Sequence, residues 1–203
     1  MEFEEISLKL CDEREFAREN FVPIIRDQSA KYLYEFVKKN NFKNILEIGT
    51  AIGYSGSIIL SATNANLTTI DINENYLERA KSNFEKLGFN NRVEIFHDDA
   101  WVIINKLLRE NRKFDMIFLD GAKGQYVKYL DVLTSLLEDN GVIFADNVLL
   151  GGMVESDNKI PHRKRTMVVN LRKYLEIVNS EKYQTELIRL EDGIAITKLK
   201  GEK

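Results

Sequence analysis

Apolar positions along this chain follow two rhythms. Between residues 5 and 40 the spacing is helical: Leu8, Leu10 and Phe16 outline a first helix, and Tyr32, Leu33, Phe36 and Val37 a second. Pro23 stands between them, where it can begin a helix but not continue one. From residue 43 the pattern changes to short apolar runs. Asn44–Ile48, Leu67–Ile72, Val93–His97, Phe114–Leu119 and Gly141–Ala145 read as buried strands, with helical stretches at 54–62, 74–87, 99–110 and 123–137. Strand and helix alternating at this spacing predict an α/β fold, a doubly wound parallel sheet. After a loop at 148–162 come a helix over 163–178 and two strands, Tyr183–Leu190 and Ile194–Lys198. Glu191-Asp192-Gly193 joins that last pair as a tight turn, which predicts a C-terminal antiparallel hairpin. With no repeat, low-complexity tract or linker, 1–203 reads as a single domain: an N-terminal helical segment, 1–40, and a core, 41–203.

Composition narrows the class. A chain of 203 residues buries enough surface to hold a core without disulfides or a structural metal. A hydrophobic fraction of 44% excludes wholesale disorder. The lone Cys11 has no internal partner, which fits a reducing, cytoplasmic setting. The acidic start, Met-Glu-Phe-Glu-Glu, is unlike a signal peptide, and no apolar run approaches the ~20 residues of a membrane span. The net charge of −3 argues against a general nucleic-acid coat protein.

Ligands of open α/β sheets bind beyond the carboxyl ends of the strands. Acidic residues end almost every strand here: Glu47 before the loop Gly49-Thr-Ala-Ile-Gly-Tyr-Ser55, then Asp71, Asp98-Asp99, Asp120 and Asp146-Asn147. Gly49 and Gly53 would let the backbone approach a ligand closely. Asp71 lies 22 residues after Gly49, near the spacing at which a carboxylate reaches a ribose hydroxyl. A glycine turn with an acidic cap would explain these features without a ligand. The dinucleotide fingerprint, however, needs a third glycine that is missing, and Glu47 would repel a pyrophosphate. A nucleoside with a cationic tail fits better, and S-adenosylmethionine is such a molecule.

Leu46-Glu-Ile-Gly-Thr-Ala-Ile-Gly-Tyr-Ser55 resembles the cofactor loop of the class I, metal-dependent O-methyltransferases of the catechol and caffeoyl-CoA type. The resemblance extends through Phe118-Leu-Asp-Gly-Ala-Lys-Gly-Gln-Tyr126, Ala145-Asp-Asn-Val148 and Asp192-Gly-Ile-Ala195, and covers roughly 20–199. The Ala-Lys-Gly-Gln-Tyr and Asp-Asn-Val-Leu stretches are most similar to the bacterial branch that methylates 5-hydroxyuridine in tRNA. The resemblance implies a Rossmann-like, mostly parallel seven-stranded sheet and a homodimer. It also implies that Glu47 and the Gly49–Ser55 loop hold the methionine part of S-adenosylmethionine, and that Asp71 binds the ribose. Asp99 and the backbone of Ala100 would meet the adenine, and Ile25 and Asp120 would border the cofactor. Asp120, Asp146 and Asn147 match the family's metal ligands and Lys123 its catalytic lysine. Catechol-type members carry an aromatic residue between that Asp and Lys; here Gly121-Ala122 implies a more open pocket.

The same residues make chemical sense apart from any family. Two carboxylates and an amide oxygen suit Mg²⁺, Ca²⁺ or Mn²⁺ rather than zinc. Lys123, three residues after Asp120 at a helix start, can face the same site, where a cation disfavours its charged form. Taken singly, Asp120 could be a helix cap and Lys123 a surface lysine. Residues 148–173 hold six Lys or Arg against two acidic residues, a local +4, and Arg163, Lys164 and Arg165 crowd a helix start that disfavours cations. That suggests phosphate binding, as in tRNA or a coenzyme A ester, against the plainer reading of a solvated basic helix. His97 and His162 read as structural or surface residues and Trp101 as core or adenine-pocket wall. Three functions compete: a tRNA uridine O-methyltransferase, a small-molecule O-methyltransferase acting on catechol-like or coenzyme A-linked phenols, and a non-catalytic or nicotinamide-binding domain.

Overall fold

A computed structural model of the protein describes residues 1–201. The chain divides into two compact units, one ending at Ile103 and one beginning at Ile104. The sequence pattern does not place this division, because no change of composition marks it.

The first unit opens with three helices rather than two: α1 (Phe3–Lys9), α2 (Cys11–Glu19) and α3 (Asp27–Asn40). Leu10 leaves helical geometry (ψ 12°) between α1 and α2, and its buried side chain fixes the corner. Strand β1 (Asn44–Ile48) leads through the glycine loop to α4 (Tyr54–Ala62), followed by β2 (Asn66–Asp71), α5 (Glu74–Lys86) and β3 (Val93–His97). Helix α6 (Ala100–Arg109) contains the division between units. The strands run parallel in the order β3-β2-β1, with Glu47 opposite Thr69 and Leu67 opposite Val93. β1 and β2 are buried along nearly their whole length, the continuous apolar signature of a strand covered on both faces, whereas β3 at the edge is half-exposed. Helix α4 is almost wholly buried, with α1 and α3 packed against it.

The second unit contains β4 (Phe114–Leu119), α7 (Tyr126–Ser135), β5 (Leu137–Asp146), α8 (Arg165–Val178), β6 (Tyr183–Ile188) and β7 (Ile194–Leu199). Its strands follow the order β4-β5-β7-β6: β4 and β5 are parallel, and β7 is antiparallel to both β5 and β6. β5 starts four residues earlier than its apolar run, because Leu137 already pairs with Phe114 before the register shifts. The seven strands are thus mostly parallel with a C-terminal antiparallel hairpin, the architecture expected from the alternation. No helix among the described residues is long and apolar enough to cross a membrane.

Candidate active site

The loop after β1 reverses through left-handed residues: Gly49, Ala51 and Gly53 have φ of +101°, +44° and +77°. Ala51 carries a Cβ and adopts this region at a cost. Asp71 holds it there, its Oδ2 accepting the Ala51 N–H at 2.8 Å while Oδ1 accepts that of Asn73 at 2.9 Å. Gly53 has no room for a side chain, since a Cβ would stand 3.0 Å from that of Ala80 in α5. Also from α5, the Asn83 amide donates to the Ile52 carbonyl at 2.8 Å.

Glu47 is fully buried beneath this loop, yet its charge is met by hydroxyls. Ser55 Oγ donates to one carboxylate oxygen and Thr69 Oγ1 to the other, each at 2.6 Å, and Thr50 Oγ1 lies 2.6 Å from that of Thr69. Glu47 therefore braces the loop from below. Its register partner Thr69, a hydroxyl in a buried strand, is the signal by which this network could have been anticipated. Beyond β3, Asp99 Oδ1 accepts the Trp101 N–H at 2.8 Å and caps α6, whose first residue is Ala100. Ile25 is buried in the segment joining α2 and α3, His97 Nε2 lies 3.1 Å from the Ile72 carbonyl, and Trp101 is half-buried.

In the second unit the structure brings Asp120, Lys123 and Asp146 within electrostatic reach of one another. Lys123 pairs with Asp120, with side-chain exposures of only 12% and 16%. Asp146 ends β5 with 0% exposure, and neither of its oxygens meets the geometry of a hydrogen bond. Burial first, and then the Asp120 charge, push its carboxyl up to about 7. Lys123 and the nearby N–H of Asn147 oppose the shift without cancelling it. Asn147 follows with φ +56°, a left-handed conformation that Asn tolerates better than most residues. Tyr126 ends the Phe118–Tyr126 motif with no role assigned from the sequence: its buried phenol donates to the Leu119 carbonyl at 2.9 Å and to that of Asp146 at 3.3 Å, tying the ends of β4 and β5 together. A tyrosine six positions after a strand-end Asp looks, in sequence, like any core aromatic.

The basic segment is partly committed elsewhere. Arg163, Lys164 and Arg165 are exposed at the start of α8, which packs against the turn Lys123–Gln125. Arg172, by contrast, donates to the carbonyls of Val154 at 2.8 Å and Ser156 at 2.6 Å, and so fixes the loop after β5. Glu155 pairs with Arg189 at 2.8 Å. Lys159, Arg163, Lys164, Arg165 and Lys173 stay exposed, three of them consecutive at 163–165.

A family model described as O-methyltransferase matches residues 8–200. The chain belongs to the O-methyltransferase family. It is similar to a Staphylococcus aureus protein provisionally named a caffeoyl-CoA O-methyltransferase (37% identity, TM-score 0.82, 93% of this chain and 90% of that one). A second solved structure is the O-methyltransferase TomG of Streptomyces achromogenes in complex with SAM (25% identity, TM-score 0.83, 99% and 92%). The catechol O-methyltransferase of Niastella koreensis is 31% identical over 137 residues, 66% of this chain and 62% of that protein. This methyltransferase is thus of the S-adenosylmethionine-dependent kind, and the non-catalytic and nicotinamide readings fall away.

The donor set of the methyltransferase also fits a hard divalent cation. Its candidates are oxygen donors only, and Asp146 offers two buried oxygens without hydrogen bonds. Among the described residues no three His, Cys, Asp or Glu side chains form a metal cluster.

Proposed function

We propose that this methyltransferase is a divalent-metal-dependent enzyme of the cytoplasm, a homodimer, whose acceptor presents two adjacent oxygens. The substrate we assign is 5-hydroxyuridine in tRNA, converted to 5-methoxyuridine. The metal part of this reading is carried by Asp146, a buried carboxylate left without hydrogen bonds beside the Asp120–Lys123 pair. Asp120, Asp146 and Asn147 would hold Mg²⁺, with Ca²⁺ or Mn²⁺ as chemical equivalents. Bound there, the ion supplies positive charge that makes the acceptor hydroxyl more acidic. The loop Gly49–Ser55 over Glu47 would seat the methionine end of S-adenosylmethionine, Asp71 the ribose, and Asp99 with Ala100 the adenine.

Lys123, as the amine, takes the hydroxyl proton at Nζ. The acceptor oxygen bonds to the methyl carbon as the carbon–sulfur bond breaks, and S-adenosylhomocysteine leaves. Attack neutralises the sulfonium, so orientation of the two reactants carries much of the acceleration. Arg163, Lys164 and Arg165 would receive phosphates of the acceptor. A second reading, a small phenol or its coenzyme A ester, is favoured by the relatives named for caffeoyl-CoA and catechol.

Nucleoside mass spectrometry of tRNA from a deletion strain separates the two. Loss of 5-methoxyuridine-type modification is the expected result, and an unchanged profile with turnover of a catechol panel establishes the second. Asp146→Ala should abolish methyl transfer while keeping S-adenosylhomocysteine affinity. Full activity in excess chelator sinks the metal assignment under either substrate.

A further inference from the structure

One guanidinium in the N-terminal helices, that of Arg14, touches three other elements of the first unit. Arg14, in α2, donates from Nε and Nη2 to the hydroxyl of Tyr54 at 3.2 and 2.6 Å. Its Nη1 lies 3.2 Å from an oxygen of Asp27, the first residue of α3, and Nη2 also donates to Ser7 Oγ of α1 at 3.1 Å. Tyr54 is the residue between Gly53 and Ser55, buried at the point where the glycine loop becomes α4. Asp27 stands two residues after Ile25. Arg14 therefore joins the glycine loop to the segment that carries Ile25. These are the two stretches to which the reading above gives the cofactor.

The other supports of the loop come from the sheet side and from α5: Asp71 holds Ala51, Asn83 holds Ile52, and Glu47 holds Ser55. Tyr54 is bonded instead from α2, by Arg14. The Tyr54 ring is buried at 2% exposure, so packing holds it as well as the bond to Arg14. Beyond holding the ring, that bond links the loop through Arg14 to Asp27, beside the Ile25 segment.

Resting on the assignment of this loop to S-adenosylmethionine, we propose that Arg14 is a positioning residue for the methyl donor. It holds the glycine loop and the Ile25 segment at the separation the donor requires, through Tyr54 on one side and Asp27 on the other.

Isothermal titration of the full chain with S-adenosylhomocysteine tests this. Wild type, Arg14→Gln, Arg14→Lys, Tyr54→Phe and the Arg14→Gln/Tyr54→Phe double variant are compared. Arg14→Gln and Tyr54→Phe should each weaken binding about tenfold. The double variant should be no weaker than the weaker single one, as expected for partners in one interaction. Arg14→Lys, which can still reach one partner, should recover part of the loss. A purely structural role would lower the unfolding midpoint of the unliganded protein and leave affinity, coupling and lysine rescue unmoved; that result overturns the proposal. Tyr54→Phe preserves the buried ring, so it decides the matter if Arg14→Gln fails to fold. Absence of binding by wild type would instead refute the donor assignment itself, and this inference with it.

Discussion

A carboxylate sealed from water with neither oxygen in a hydrogen bond favours its neutral form, and Asp146 is such a group. Its folded value of about 7 lies above the ordinary 3.8, so between those pH values the folded chain keeps a proton that the unfolded chain has released. The contribution of Asp146 to stability without metal should therefore be full below about pH 4, fall as pH rises to about 7, and be lost above it. At about 1.4 kcal/mol per unit the loss is roughly 4 kcal/mol at most. Urea unfolding in chelator at pH 5 and pH 8 measures it, and Asp146→Asn should flatten the difference. Saturating Mg²⁺ should raise stability more at pH 8 than at pH 5, because a cation binds the ionised form. A wild type and Asp146→Asn with the same pH slope would show that Asp146 is ionised and already satisfied in the resting protein.

At the level of elements, the hairpin turn and the loop after β5 hold each other. Val148 N–H donates to the Gly193 carbonyl at 3.0 Å and Leu149 N–H to that of Asp192 at 2.8 Å. Gly193 has φ +80°, and a Cβ there would lie 2.3 Å from Leu149 Cγ, inside a buried contact that cannot yield. Gly193→Ala should thus cost about 3 kcal/mol, from backbone strain and overpacking together. Because the displaced loop begins at Asn147, Mg²⁺ affinity should fall too, which thermal melts with and without the ion would read. The Asp192-Gly193 turn was legible in the sequence as a turn, but not as the support of Asn147. That role depends on a side chain 44 positions away. The strands β1, β3 and β4 coincide with their apolar runs, β1 and β4 because covered parallel strands are apolar along most of their length. The break at Leu10 was not legible, because α1 and α2 differ in direction and not in periodicity. The strand-end carboxylates stood out because charge is rare where apolar runs stop. Arg14, Tyr126 and Asn83 did not, because their partners, namely the Tyr54 hydroxyl, the Asp27 carboxylate and backbone carbonyls, lie at no regular spacing in the chain.

Across the whole molecule, net charge says little about what the protein touches, because the charges are sorted by place. A total of −3 includes buried or half-buried acids at strand ends, namely Glu47, Asp71, Asp120 and Asp146. It also includes exposed cations at the start of α8. Sequence counting gave that segment six cations; the structure removes Arg172, whose guanidinium is spent on the loop carbonyls of Val154 and Ser156. Any phosphate contact near Lys123 should then depend on Arg163, Lys164 and Arg165 together. Each phosphate neutralised contributes about 0.7 to 0.9 to the slope of log affinity against log salt. Changing all three residues to alanine should therefore lower the slope for tRNA by about 2 to 3. S-adenosylhomocysteine affinity and the unfolding midpoint should stay unchanged, since these side chains are solvent-exposed and lie outside the donor loop. Filter binding between 50 and 200 mM salt would measure the slope. An unchanged slope would remove the α8 start from the nucleic-acid contact. A slope near zero in wild type, with coenzyme A esters bound through the same three residues, would move the acceptor to the small-phenol class.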